Sequence, residues 1–231
     1  MRILEGLKAS AMMVLPTAAL LLGPAALASG GDWIWPRALW FLGGLAVMSA
    51  GSNVALAVLR PANFETRKAR PTQKQPLIDV IGLIAYIGYI LAWVVFLSLD
   101  ARVLHLLPAP PAWLSAVGGV AAILGSSVTF LAVWQNAFAS PNIEDQADRG
   151  QQVVDTGIYG LIRHPLYAGN LLLFAGTALW LGSTAALIGV SVHLVATLAR
   201  IRIEEAFLRE NLPDYAAYVV RVRARLIPFV G

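Results

Sequence analysis

With 231 residues, 58% of them apolar and only 13% charged, and a mean hydropathy of +0.69, the chain is too apolar for a soluble domain of ordinary composition. Its formal net charge of +4 does not point to nucleic acid, because the basic residues flank apolar runs instead of gathering on a polar domain. The lack of cysteine excludes disulfides, thiolate metal sites and cysteine nucleophiles.

In chain order, apolar windows of about 20 residues, enough to cross a hydrocarbon core, cover 11–28, 33–59, 77–99 and 112–138. A fifth and a sixth cover 165–181 and 183–198, joined by Gly182-Ser183, a link short enough to demand a helical hairpin. The expected fold is all-α: a polytopic membrane helical bundle of about six transmembrane helices, with cytosolic C-terminal helical elements. Arg2, Lys8 and the small residues Ala26-Leu27-Ala28 also fit a secretory leader, but the segment is read here as the first span. Residues 1–138 form a four-span membrane region with few ionisable groups inside it. Residues 139–231 alternate polar and short apolar segments and form the expected working core.

Arg60, Arg67, Lys68, Arg70 and Lys74 separate spans two and three, whereas the linkers between spans one and two and between three and four are poor in Lys and Arg. By the positive-inside rule that loop is cytoplasmic. Six spans then place both termini, the 142–163 segment and the basic tail of Arg221, Arg223 and Arg225 on the same side.

The 142–152 segment, with Glu144, Asp145, Asp148 and Arg149, has no sustained apolar period and reads as a loop or short interfacial helix. Pro165 suits the first turn of the fifth helix, where its missing N–H costs nothing. His164 then marks a helix start whose free amides and partial positive charge suit a carboxylate or other anion. The sixth helix has no breaker before Pro213, so it continues beyond the bilayer. Arg200 and Glu204, four residues apart on it, share a face. They read either as an interfacial salt bridge or as a cation and an anion offered to a ligand. Residues 214–221 are amphipathic and, taken alone, read as an interfacial anchor. His105 and His193 are isolated. With no HExxH, GxGxxG, GxxxxGK[ST] or GxSxG pattern, metal sites, conventional nucleotide folds and serine-hydrolase elbows lack support.

A set of motifs follows in fixed order: Gln151-Gln152-Val153-Val154, Thr156-Gly157-Ile158-Tyr159, Arg163-His164-Pro165-Leu166-Tyr167-Ala168-Gly169, Arg200 with Glu204-Glu205 and Leu208, then Tyr215, Tyr218 and a basic tail ending at Pro228. Over roughly 134–228 this order resembles the integral-membrane isoprenylcysteine carboxyl methyltransferases and their bacterial relatives. The resemblance implies an S-adenosylmethionine-dependent methyltransferase, with O-methylation favoured, in the bacterial inner membrane with its active site on the cytoplasmic side. It implies cofactor contacts from Gln146, Gln151, Gln152, Val153, Val154, Tyr159, His164, Pro165, Leu166, Tyr167, Glu204 and Glu205. Arg200 and Glu204 would be the catalytic pair, with Arg200 holding the substrate. The implied partners are a lipophilic small molecule or lipid and the membrane lipids, with no nucleic acid and no metal.

The chain departs from the family pattern at Gln151, where bacterial relatives often carry histidine, and at Ile158, where they carry proline. The fourth span also lacks the arginine of the animal prenylcysteine enzymes. A small lipophilic acid, thiol, amine or lipid therefore stands beside a prenylated acceptor. Rival readings are a phospholipid N-methyltransferase, a sterol-reductase-like NADPH enzyme and a non-enzymatic membrane scaffold.

Overall fold

A helix that is apolar on every side has no soluble partner to bury against and belongs in lipid. In the computed structural model, which describes residues 1–68, 77–139 and 146–230, the chain is built of helices, the long ones mostly apolar and two short ones, at 61–68 and 215–221, carrying charged residues. In order they are α1 (Arg2–Ala28), α2 (Pro36–Leu59), α3 (Pro61–Lys68), α4 (Leu77–Leu99), α5 (Ala112–Gln135), α6 (Pro165–Leu181), α7 (Ala186–Asn211) and α8 (Tyr215–Arg221), with no strand among the described residues. Met12, Leu15, Trp40, Val47, Ile84, Trp113 and Val195 are all more than half exposed, as the lipid-facing side of an integral membrane protein requires. Among the described residues five helices are long and apolar enough to cross a bilayer, and α6, at 17 residues, is shorter. At about 1.5 Å per residue α6 spans about 25 Å, less than the ~30 Å hydrocarbon core.

The expected bundle is present, with shifted limits. The third span runs beyond residue 99 through a π turn, Asp100–Leu104, and stops at His105, whose φ of +46° ends the helix. Asp100 accepts hydrogen bonds from Ser183 Oγ at 2.5 Å and from the Leu106 amide at 2.9 Å, which fastens the α4 end to the α6–α7 turn. The fourth span ends at Gln135 instead of 138. The sixth begins at Ala186 instead of 183 and continues as one helix to Asn211. The basic residues Arg70 and Lys74, with Glu144 and Asp145, lie outside the described residues.

The closest helix pair is α5 with α6. Gly118 and Gly125 on α5 face Gly176 and Gly169 on α6, each pair seven residues apart. A Cβ on Gly169 would stand 2.7 Å from the Gly125 carbonyl oxygen, and one on Gly118 would stand 2.5 Å from Leu179 Cβ. Lipid gives apolar side chains no reason to prefer one another, so membrane helices associate through such close backbone contact between small residues. This seam fixes the start of α6 against the end of α5. Asn63 of α3 holds the same end by donating through Nδ2 to the Val133 and Trp134 carbonyls at 2.8 and 3.0 Å. Those carbonyls belong to the last turn of α5, which has no further helical amides to receive.

Candidate active site

Past α5 the backbone leaves the helix while still near the bilayer, so each polar group needs a partner. Gln135 Oε1 accepts from the Ile158 amide at 2.9 Å. Gly157 makes that approach possible: its φ is +58°, and a Cβ there would stand 2.5 Å from the Gln135 carboxamide. Tyr159 donates from its hydroxyl to the Ala132 carbonyl at 3.3 Å, and its own carbonyl accepts from Tyr218 at 2.8 Å. Burial pushes the Tyr159 phenol up to about 12 and the Tyr215 and Tyr218 phenols upward as well. All three stay protonated at physiological pH, and Tyr159 and Tyr218 act as donors.

Beneath the start of α6 lies a charged knot. Glu205 of α7, 1% exposed, accepts from Arg163 Nε at 2.8 Å and from His164 Nε2 at 3.1 Å, with Arg209 at 3.2 Å and Arg225 at 3.5 Å. Arg163 also donates through NH1 to the Val222 and Arg223 carbonyls, each at 2.6 Å. Backbone pairing runs alongside, with the Arg163 and His164 amides donating to the Ala224 and Arg225 carbonyls at 3.0 Å. A buried ion pair is tolerated only when its remaining lone pairs and protons are also satisfied, and here an extended tail supplies those carbonyls. One carboxylate thus ties together the connector, α7 and the tail.

Above this knot is a cavity. Its wall holds Gln146, Gln151, Gln152, Val153, Val154, Tyr159, His164, Pro165, Leu166, Tyr167 and Glu204, joined by Asn136, Phe138, Ala139, Arg163, Phe207, Leu208, Leu212, Tyr215 and Tyr218. Two residues named from the sequence stand elsewhere. Glu205 lies below the wall in the charged knot, and Arg200 sits one turn down α7, donating from Nε to the Tyr167 hydroxyl at 2.9 Å. Tyr167 in turn donates to Glu204 Oε2 at 2.7 Å. Segment 215–221 is helical as expected, but Tyr215 and Tyr218 are buried against Leu212 and Val222, so α8 packs on the connector. Of the wall residues that the sequence did not assign to the cofactor, Phe207, Leu208 and Leu212 follow Glu204 at three, four and eight residues. That helical spacing was available in the sequence.

The model of the phospholipid methyltransferase family matches residues 113–214, which carry most of the site. Among solved structures, that of the eukaryotic intramembrane Ras methyltransferase ICMT (isoprenylcysteine carboxyl methyltransferase) is similar, at 19% identity and a TM-score of 0.53, covering 92% of this chain and 74% of that one. No curated protein sequence matches. The fold is ICMT-like, and together with the family match over the site-bearing region it supports an integral-membrane methyltransferase.

Proposed function

We propose that the protein transfers a methyl group from S-adenosylmethionine to a lipophilic acceptor that reaches the site from the bilayer, on the cytoplasmic side. The observation that carries this reading is Gln146. Its side chain is 4% exposed, its Nε2 donates to the Phe138 carbonyl at 3.0 Å, and its Oε1 is buried in the cavity wall with no hydrogen-bond partner among the described residues. An orphaned buried acceptor costs about 1–3 kcal/mol and calls for a ligand that donates.

S-adenosylmethionine offers donors in its amino group, ribose hydroxyls and adenine amine, and an acceptor in its carboxylate. The wall matches both kinds. Gln146 Oε1 and the Glu204 carboxylate receive donors. The amides of Leu166 and Tyr167, in the first turn of α6, have no helical partner and suit a carboxylate. The cations a nicotinamide dinucleotide would want for its phosphates are committed elsewhere: Arg163, in the wall, is bound to Glu205 and two tail carbonyls.

When bound, S-adenosylmethionine supplies an electrophilic methyl: an acceptor lone pair bonds to the carbon while the carbon–sulfur electron pair stays on sulfur, leaving a neutral thioether. The protein needs no general base for a carboxylate acceptor, since no proton is lost. Its work is alignment and exclusion of water. Tyr159, Leu166, Phe207 and Leu208 line the cavity with apolar surface, and Arg200 offers a guanidinium suited to a carboxylate or a phosphate. That chemistry favours an anionic acceptor methylated on oxygen. A phospholipid amine is the second reading, favoured by the family match at 113–214, in which case Arg200 would hold the headgroup phosphate.

The test is a thermal melt in detergent. S-adenosylmethionine or S-adenosylhomocysteine should raise the Tm, since a ligand that binds only the folded state stabilises it by mass action, and NADPH should not. A shift with NADPH alone would replace this reading by the reductase one. Incubation with methyl-labelled donor and a host lipid extract then identifies the acceptor. Reporter fusions after Lys68 and after Gly231 should report the same cytoplasmic compartment, and opposite compartments would remove the one-sided site.

A further inference from the structure

Arg200 and Glu204 occupy a spacing at which arginine and glutamate on one helix ordinarily meet directly. Here a hydroxyl from another helix stands between them. The Tyr167 phenol oxygen lies 2.9 Å from Arg200 Nε and 2.7 Å from Glu204 Oε2. The directions of these bonds are forced, because a guanidinium can only donate and a carboxylate can only accept. The phenol therefore gives its one proton to Glu204 and a lone pair to Arg200, and the three groups have a single consistent arrangement. Nε is the nitrogen that joins the planar guanidinium to its stem, so a bond there fixes the edge that the group presents.

We propose that Tyr167 is a positioning residue whose hydroxyl registers Arg200, on the acceptor side, against Glu204, on the donor side, so that the two substrates meet in line. The proposal rests on the methyltransferase reading and assigns Tyr167 a task beyond lining the donor cavity. Displacement at a methyl carbon needs the incoming and leaving atoms collinear, and an error of about 1 Å can cost about 100-fold in rate. Without the hydroxyl, Arg200 and Glu204 lose the one group that bonds to both of them in these contacts, and with it the fixed register between Nε and the carboxylate.

Tyr167→Phe keeps the ring, including its packing 5.8 Å from His164, and removes only the hydroxyl. The variant should bind S-adenosylhomocysteine with a Kd within about threefold of wild type by calorimetry. Its kcat with methyl-labelled donor and host lipid extract should fall about 30- to 100-fold, the scale of such a misalignment. Because the hydroxyl acts through the guanidinium, Tyr167→Phe added to Arg200→Lys should cost little beyond Arg200→Lys alone. Unchanged turnover in Tyr167→Phe would overturn the proposal, as would a parallel loss of donor affinity and kcat, or a full further loss on the Arg200→Lys background. A wild-type protein that neither binds the adenosyl compounds nor labels any lipid would instead sink the methyltransferase reading, and this proposal with it.

Discussion

Two buried carboxylates, Asp100 and Glu205, sit at opposite ends of the bundle, each 1% exposed, and they are satisfied in opposite ways. Asp100 takes neutral donors, the Ser183 hydroxyl and the Leu106 amide. Glu205 takes Arg163, His164, Arg209 and Arg225. Neutral donors are enough to fasten one helix end to one turn. A cationic set drawn from the connector, α7 and the tail makes three segments depend on a single group, and that dependence is found at the end holding the cavity. Removing a buried carboxylate from cations leaves charge uncompensated, whereas removing it from neutral donors leaves only ordinary hydrogen-bonding groups unpaired.

The comparison can be broken most severely at Glu205. Glu205→Ala should destabilise the protein by about 3–5 kcal/mol, lower the Tm in detergent by about 10 °C and abolish donor binding. A melt close to wild type would show that the charged knot does not hold the site. Next in size, Arg200→Ala should reduce turnover at least about 100-fold with donor affinity largely kept, while Glu204→Gln should weaken donor binding. Truncating a group used only in the reacting complex costs rate, and truncating one used in the ground state costs affinity. Calorimetric titration of the two folded variants separates these cases, and equal loss of donor affinity in both would fit a purely structural pair.

Asp100→Asn, at the far end, should cost about 1–2 kcal/mol and leave donor affinity unchanged. A fall in that affinity would mean the two ends are coupled and their contrast false. The smallest effect is expected at His193 of α7. Its ring is 2% exposed and stacked on Phe174 at 4.8 Å and Tyr86 at 5.6 Å, and neither ring nitrogen has a hydrogen-bond partner among the described residues. His193→Phe should keep the stack, drop the unpaired nitrogens and raise stability by about 1 kcal/mol. A lower Tm would reveal a partner for the imidazole.

What could be read from the sequence follows from what is local. Both limits of α6 were legible, because Pro165 suits a first turn and Gly182, at φ +94°, suits the left-handed residue that closes a helix. The end of α5 was not. Ala137 and Phe138 resume apolar character after Gln135-Asn136, yet the helix stops at Gln135, where Asn136 turns extended and its Oδ1 accepts from the Phe138 amide at 2.9 Å. The run from His164 to Tyr167 and Glu204 was expected at the cofactor, and these residues do line one cavity. Neighbouring carboxylates on a helix point about 100° apart, however, so which of Glu204 and Glu205 faces the cavity depends on the packing of α7. The bridging role of Tyr167 likewise depends on how α6 and α7 approach.

The glycine seam between α5 and α6 has a mechanical consequence. Two helices in backbone contact along their length act as one stiff rod, and a wedge driven between them works as a lever. A methyl at Gly118 would pry the pair apart at the end remote from the cavity, whereas a methyl at Gly169, one turn from Pro165, would open it beside the first-turn amides. Gly118→Ala and Gly169→Ala should then cost similar stability but unequal donor affinity, with the larger loss at Gly169. The seam sets how far the floor of the site can move.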